Sequence, residues 1–282
     1  MGIDVHGLNL LMHAKKKKLF GNTITIGRQG LHVKERLVKK LVDAEPSYKN
    51  QIYCEELLTE YFGATVVNSI DNSAYENATH IHDMNEPLPM SLHEKYDTVI
   101  DGGCLEHIYN APQAFRNCSK FCKPGGQILH MLPANNFCGH GFWQFSPELF
   151  FSLYSKKNGY EETEVFIADL SDTQKWYQVK EPKNGERVNV FSSTALYVLV
   201  RTVLKNDEFS HAEVQQSDYL YEWENQSFSE LQSTGLKQKL KKINFLYRIL
   251  SPAYHFYLRI QRETGLNGRN PGLVVIDLKS FI

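Results

Sequence analysis

The stretch from Tyr96 to Pro133, YDTVIDGGCLEHIYNAPQAFRNCSKFCKPGGQILHMLP, constrains the fold of this chain more than any other. Thr98, Val99 and Ile100 form a β-rich run closed by Asp101-Gly102-Gly103. After Pro112 the apolar positions change to helical spacing at Ala114, Phe115, Cys118, Phe121 and Cys122. Lys123-Pro124-Gly125-Gly126 stops that helix, because proline cannot continue the hydrogen-bond ladder and glycine accepts the reversed dihedrals of a tight connection. Ile128, Leu129, Met131 and Leu132 then resume an extended run. A strand, helix and strand of this length predict a right-handed parallel crossover, and with it an α/β sheet.

The flanking segments continue the alternation. Residues 4–16 carry a weak helical pattern with Lys15 to Lys18 where a helix C-terminus favours cations. Thr23 to Ile26 predicts a first strand, followed by Gly27-Arg28-Gln29-Gly30 and a helical run at Val33, Leu37, Leu41 and Val42. A second helical pattern over 50–62 ends at Gly63, and Thr65 to Ile70 predicts a second strand closed by Asp71. Thr79 to Met84 reads as a short third strand with Asp83 at its end.

The 96–133 unit resembles the second half of class I S-adenosylmethionine-dependent methyltransferases, through Asp97, Val99, Ile100, Leu105, Glu106, His107 and Lys123 through Gly126. The likeness extends over residues 20–170. It implies a Rossmann-like fold with a mostly parallel seven-stranded sheet and an antiparallel last strand, Thr163–Ala168 and Leu196–Leu204 completing the set. The methyltransferase domain would then span 1–205, and 206–282 would be a mainly helical C-terminal extension. The cofactor implied is S-adenosylmethionine. On that likeness Gly27, Arg28 and Gly30 form its loop, Asp71 holds the ribose hydroxyls, and Asp83 and Met84 meet the adenine amino group and ring. Asp101 and Gly102 border the methyl donor. Thr25 stands where the family has an acid and Gln29 where it has a glycine, which leaves open a second reading, a scaffold or binding module that has kept the architecture and lost the cofactor.

Between the fifth strand and Ser146-Pro147, a helix start by N-cap and first-turn preference, lies Ala134-Asn135-Asn136-Phe137-Cys138-Gly139-His140-Gly141-Phe142-Trp143-Gln144-Phe145. This loop must cross the ligand edge of the sheet, and amides, aromatic rings and one imidazole are what a small-molecule pocket uses. A lone histidine in an aromatic loop has an equally good structural reading. Methyl transfer needs an aligned nucleophile and a base for its proton. His140 or His107 is the candidate base, with Glu106 orienting. The NNxxGHGFxQFSPELF stretch is similar to methyltransferase-like bacterial proteins of surface glycan or natural-product assembly, and so points to a sugar or other small-molecule hydroxyl as acceptor. His80-x-His82-Asp83 could present two imidazoles on one strand face, but it lacks a zinc-like partner cluster, so no metal is expected. Cys118 and Cys122 share one helical face and read as core. A nicotinamide oxidoreductase is disfavoured because G-x-G-x-x-G does not follow the first strand.

Charge and hydropathy bound the partners. The net charge of -1 gives no general case for nucleic acid. Seven Lys or Arg and no acid fall between Lys237 and Arg262, leaving 24 basic against 32 acidic residues elsewhere. Leu236, Leu240, Ile243, Tyr247 and Leu250 form a helical stripe beside those lysines. It suits packing on the main domain and, as the rival reading, peripheral contact with an anionic membrane. Five cysteines without framework spacing and the absence of a signal-like N-terminus make the cytoplasm the expected location.

Overall fold

The computed structural model describes residues 2–42, 52–206, 214–225, 252 and 265–281. The helical stripe expected over 236–250 lies outside the described residues. The described strands are β1 (Gly2–Ile3), β2 (Gly21–Ile26), β3 (Gly30–Leu31), β4 (Ala64–Asp71), β5 (His80–Ile81), β6 (Tyr96–Asp101), β7 (Cys122–Asn135), β8 (Tyr160–Asp169), β9 (Lys175–Val179), β10 (Leu196–Leu204) and β11 (Leu273–Asp277). The helices are α1 (Val5–Lys17), α2 (Glu35–Val42), α3 (Glu55–Tyr61), α4 (Ala111–Phe121), α5 (Pro147–Leu153), α6 (Ser217–Glu224) and α7 (Leu278–Phe281).

Nine strands form the main sheet in the order β11-β9-β8-β10-β7-β6-β2-β4-β5. β5, β4, β2, β6 and β7 run parallel, and β10 is antiparallel to both β7 and β8. Seven of these strands are the expected set. The other two correct the expectation: β9 lies inside the polar 172–189 segment, and β11 pairs with it, Val275 opposite Tyr177. The end of the expected helical extension is therefore an edge strand of the main sheet followed by one helical turn. Alternation missed β9 because WYQV interleaves large and polar residues without a clean period.

The sheet divides two cores. Successive residues fall on opposite faces, so Val99, Ile128 and Val198 pack with α4 and α5, while Ile100, Leu129 and Leu199 pack with α1 and α3. α1 begins at Asp4, whose carboxylate accepts from the Gly7 amide at 2.8 Å, and ends with three lysines. Pro147 opens α5 as expected, but the Ser146 side chain makes no capping bond.

Two motif residues serve the sheet rather than the site. Asp97 at the start of β6 pairs with Lys123 at 3.1 Å and accepts from the Asn22 amide at 2.9 Å. They tie three strands together at the edge opposite the strand C-termini.

Candidate active site

The segments at the C-terminal ends of β4, β5 and β6 surround a hollow of about 350 Å³ lined by Ile70, Asp71, His82, Asp83, Met84, Cys104 and His107. This is within the range of small-ligand pockets, and it sits where parallel α/β sheets bind ligands. A larger hollow of about 880 Å³ lies among β8, β9 and the 180–189 segment, away from those strand ends. Asp71 ends β4, and one of its oxygens accepts from the Ser73 amide at 3.2 Å. Asp83 accepts from the Asn85 amide at 2.9 Å and its side-chain amide at 2.7 Å, and these bonds hold its carboxyl below the usual range. Met84 is buried against the same wall. The three residues expected at the nucleoside end are thus brought together.

The other expected cofactor residues are not. Asp101 is fully buried: it accepts from His130 Nδ1 at 2.9 Å and from the Cys104 amide at 2.9 Å, and it does not line the hollow. Arg28 turns outward to Glu55 at 2.6 Å and the Glu76 carbonyl at 2.8 Å, with its guanidinium 4.0 Å from the Tyr53 ring. Gly30 belongs to β3, which pairs with β1. Gly27 does stand at the strand end, its amide bonded to the Ile70 carbonyl at 2.7 Å.

Gln29 decides how far the loop fits a donor. Its side chain is fully buried, Nε2 donates to the Ile26 carbonyl at 2.5 Å, and Oε1 has no partner. That oxygen lies so close over Gly102 that a Cβ at Gly102 would stand 2.4 Å from it, with Ile3 beside it. The Gly102 carbonyl is taken by the Gly2 amide at 3.2 Å. The carboxylates and buried Met84 of the hollow fit the nucleoside end of S-adenosylmethionine, whereas Gln29 fills the Gly102 end, outside that lining. Turning Gln29 aside would open that end, and the orphaned Oε1 is an acceptor suited to an ammonium group.

Next to this hollow a second group converges. Glu106 follows β6 in a 3-10 turn and is 1% exposed. His140 Nε2 lies 3.3 Å and His107 Nε2 3.8 Å from Glu106 Oε1, and the two rings meet edge to face at 4.8 Å. The 137–143 loop is fastened to the turn by the Phe142 and Trp143 amides, which donate to the Glu106 carbonyl at 2.7 and 3.2 Å. Gly141 makes that approach possible: its φ is +68°, and a Cβ there would stand 2.8 Å from the Glu106 carbonyl oxygen. Trp143 Nε1 donates to the Ile108 carbonyl at 3.0 Å, and Phe137 stacks on Tyr197 at 5.4 Å. Tyr197 is a site residue that sequence reasoning missed. Its only signal was that it is the single aromatic of the strand LYVLVRTVL.

Burial pushes the Glu106 carboxyl up to about 8, with the Asp101 charge adding to it. Burial, then the neighbouring His140, lowers the His107 imidazole. A carboxyl whose folded pKa exceeds its unfolded value near 4.5 binds extra protons in the native state, so stability falls as pH rises from about 4.5 to about 8. In chelator-treated buffer, Glu106→Gln is therefore expected to melt several degrees above the parent at pH 8 and to match it near pH 5. Differential scanning fluorimetry across that range checks it, and equal melting curves at both pH values would contradict it.

An open, mixed sheet with carboxylates after adjacent strands around a nucleoside-sized hollow has the architecture of a nucleotide-binding α/β protein. The chain belongs to the methyltransferase domain family, whose sequence model matches residues 37–203, and it is an S-adenosylmethionine-dependent methyltransferase. Similar solved structures include the N-methyltransferase NodS of Bradyrhizobium japonicum, at 12% identity over 71% of this chain and 94% of that one, with a TM-score of 0.39. A methyltransferase of Archaeoglobus fulgidus is 10% identical over 71% of this chain and 94% of its own, with a TM-score of 0.40. A Burkholderia thailandensis 1,6-didemethyltoxoflavin N1-methyltransferase, solved with that acceptor and S-adenosylhomocysteine, is 11% identical over 72% and 78%, with a TM-score of 0.38. No curated protein matches the chain.

Proposed function

We propose that this methyltransferase acts on a hydroxyl of a sugar or similar small molecule, with His140 as the base that receives the hydroxyl proton. The observation that carries the reading is the Glu106–His140 contact of 3.3 Å beside the nucleoside hollow. When bound, the cofactor supplies an electrophilic methyl group on sulfur. Asp71 would hold the ribose hydroxyls, while Asp83 and Met84 would meet the adenine edge and face. Ionised Glu106 accepts from His140 Nε2–H, which fixes the tautomer, leaves Nδ1 with its lone pair, and stabilises the imidazolium formed once the acceptor proton arrives. Tyr109 and Phe142, both exposed and packed edge to face at 6.5 Å, offer apolar surface at the mouth for a ring-shaped acceptor. The cytoplasm remains our assignment for such a reaction. No helix among the described residues is long and apolar enough to cross a membrane.

The donor half of the reading is tested by Asp71→Ala. Losing a hydrogen bond to a charged group costs about 1.5–3 kcal/mol, so the Kd for S-adenosylhomocysteine should rise about 10- to 100-fold in isothermal calorimetry with the melting curve unchanged. A Kd within twofold of the parent would remove Asp71 from the cofactor site. The acceptor half is tested by screening hydroxylated sugars and amines for methyl uptake from labelled donor, where uptake by amines alone would overturn the hydroxyl assignment.

A further inference from the structure

Glu106, His107 and His140 place one carboxylate oxygen and two imidazole nitrogens within 4.8 Å of one another. We propose that these three side chains form a binding site for a divalent transition-metal ion, zinc fitting best. The inference shares its residues with the proposed base and rests on the same loop carrying His140 over Glu106, yet binding can be read without turnover.

The donor set selects the ion. Two imidazoles and one carboxylate with an open position are a ligand set zinc adopts, whereas magnesium prefers oxygen ligands and retains its waters. The spacing is close to what a tetrahedral ion requires. Metal–ligand bonds of about 2.1 Å put neighbouring ligand atoms about 3.4 Å apart. The two imidazole nitrogens stand 3.3 and 3.8 Å from Glu106 Oε1. What remains to close is the gap between the imidazoles, whose side chains are 52% exposed at His140 and 42% at His107, so a rotation toward each other would displace mainly solvent. Glu106 is the fixed point. It is held beneath the loop by the Phe142 and Trp143 amides on its carbonyl, and the turn carries His107 beside it.

An independent observation also calls for a cation. Glu106 Oε2 is buried and has no hydrogen-bond partner. A carboxylate sunk this deep without a full set of partners carries an uncompensated desolvation penalty, and a dication between Oε1 and the two imidazoles would offset it. Such an ion takes the Nε2 position that the proton between His140 and Glu106 otherwise holds. The metal-bound protein therefore has no free imidazole base at His140, and the ion and the proton are alternative occupants of one site.

The test uses the full chain stripped by chelator and titrated with zinc against a chromogenic competitor. One zinc per chain is expected, with magnesium at millimolar concentration failing to displace it. The His107→Ala/His140→Ala double variant should lose more than the ~10- to 100-fold in affinity that removal of a mere supporting partner brings. Cys138 is exposed on the same loop and His82 lines the neighbouring hollow, so Cys138→Ser and His82→Ala are the controls and should bind within threefold of the parent. Retention of zinc by the double variant, loss of it in either control, or no stoichiometric zinc in the parent would each overturn the site. S-adenosylhomocysteine binding is measured on the same samples. Cofactor binding without zinc sinks only the metal site, and zinc without cofactor binding counts against the cofactor hollow proposed above instead.

Discussion

Asp101→Ala is expected to destabilise the protein by about 3–5 kcal/mol, lowering the melting midpoint by about 10 °C, although the motif surrounding Asp101 suggests a ligand contact. The carboxylate is the first link of a buried chain. It accepts from His130 Nδ1 at 2.9 Å, and His130 Nε2 meets the Tyr154 hydroxyl at 2.5 Å. All three side chains are buried, and the chain joins β6 to β7 and to the end of α5. Removing the carboxylate strands His130 and also leaves the Cys104 amide, now 2.9 Å from Asp101 Oδ1, without its acceptor. Unpaired polar groups at full burial cost more than the hydrogen bonds themselves contribute. Asp101→Asn keeps one acceptor oxygen for the Cys104 amide and should lose less than half as much. Guanidinium unfolding and calorimetry with S-adenosylhomocysteine, both at a temperature where each variant is folded, separate the two possible roles. Cofactor affinity within a few fold of the parent is expected, because Asp101 does not line the nucleoside hollow. A melting shift under 2 °C, or collapse of cofactor affinity in Asp101→Asn, would return Asp101 to the cofactor site.

Asp101 illustrates which parts of this protein are legible in its sequence. The parallel crossover from β6 to β7 could be read, because a β-rich run, a helical run and a Lys-Pro-Gly-Gly stop leave few alternatives. The acids ending β4 and β5 could also be placed, since position at a strand end determines that they face the ligand edge. What could not be read is the direction in which a side chain turns once placed there. Asp101 and Asp71 end parallel strands of one sheet with the same chemistry, but Asp101 is captured by His130, its register partner on the adjacent β7, while the Asp71 carboxylate accepts from the Ser73 amide and lines the hollow. Asp97 and Lys123 anchored the resemblance and turn out to pair with each other at the far edge of the sheet. Gln29 was visible as a departure from the glycine pattern, but only the close approach to Gly102 reveals where its amide goes. β9 and β11 pair across 94 residues, from Val179 to Leu273, a separation that local periodicity does not report.

His140→Ala is expected to lower methyl transfer about 10²- to 10⁴-fold, the span that a positioned general base contributes. Three features of the site make this the largest functional effect. The imidazole is held at 3.3 Å from a carboxylate that the fold has buried, so the tautomer that leaves Nδ1 available is set before the acceptor arrives. The backbone of the loop is clamped to the Glu106 carbonyl, so alanine should remove the ring without releasing the loop. The nucleoside hollow is lined by His107 and not by His140, so the Kd for S-adenosylhomocysteine should stay within a few fold. The pH profile adds a second readout. Ionised Glu106 is the form that orients the base, and burial pushes its carboxyl up to about 8, so in chelated buffer the parent's rate should climb through that pH. The alanine variant should lose that rise along with the rate. His107→Ala is the discriminating comparison: its imidazole stands 3.8 Å from the same oxygen and borders the donor hollow, so its loss should affect cofactor affinity more than His140→Ala does. Turnover within tenfold of the parent in His140→Ala, with the pH rise intact, would take the base role from His140 and leave the loop as a wall of the acceptor pocket.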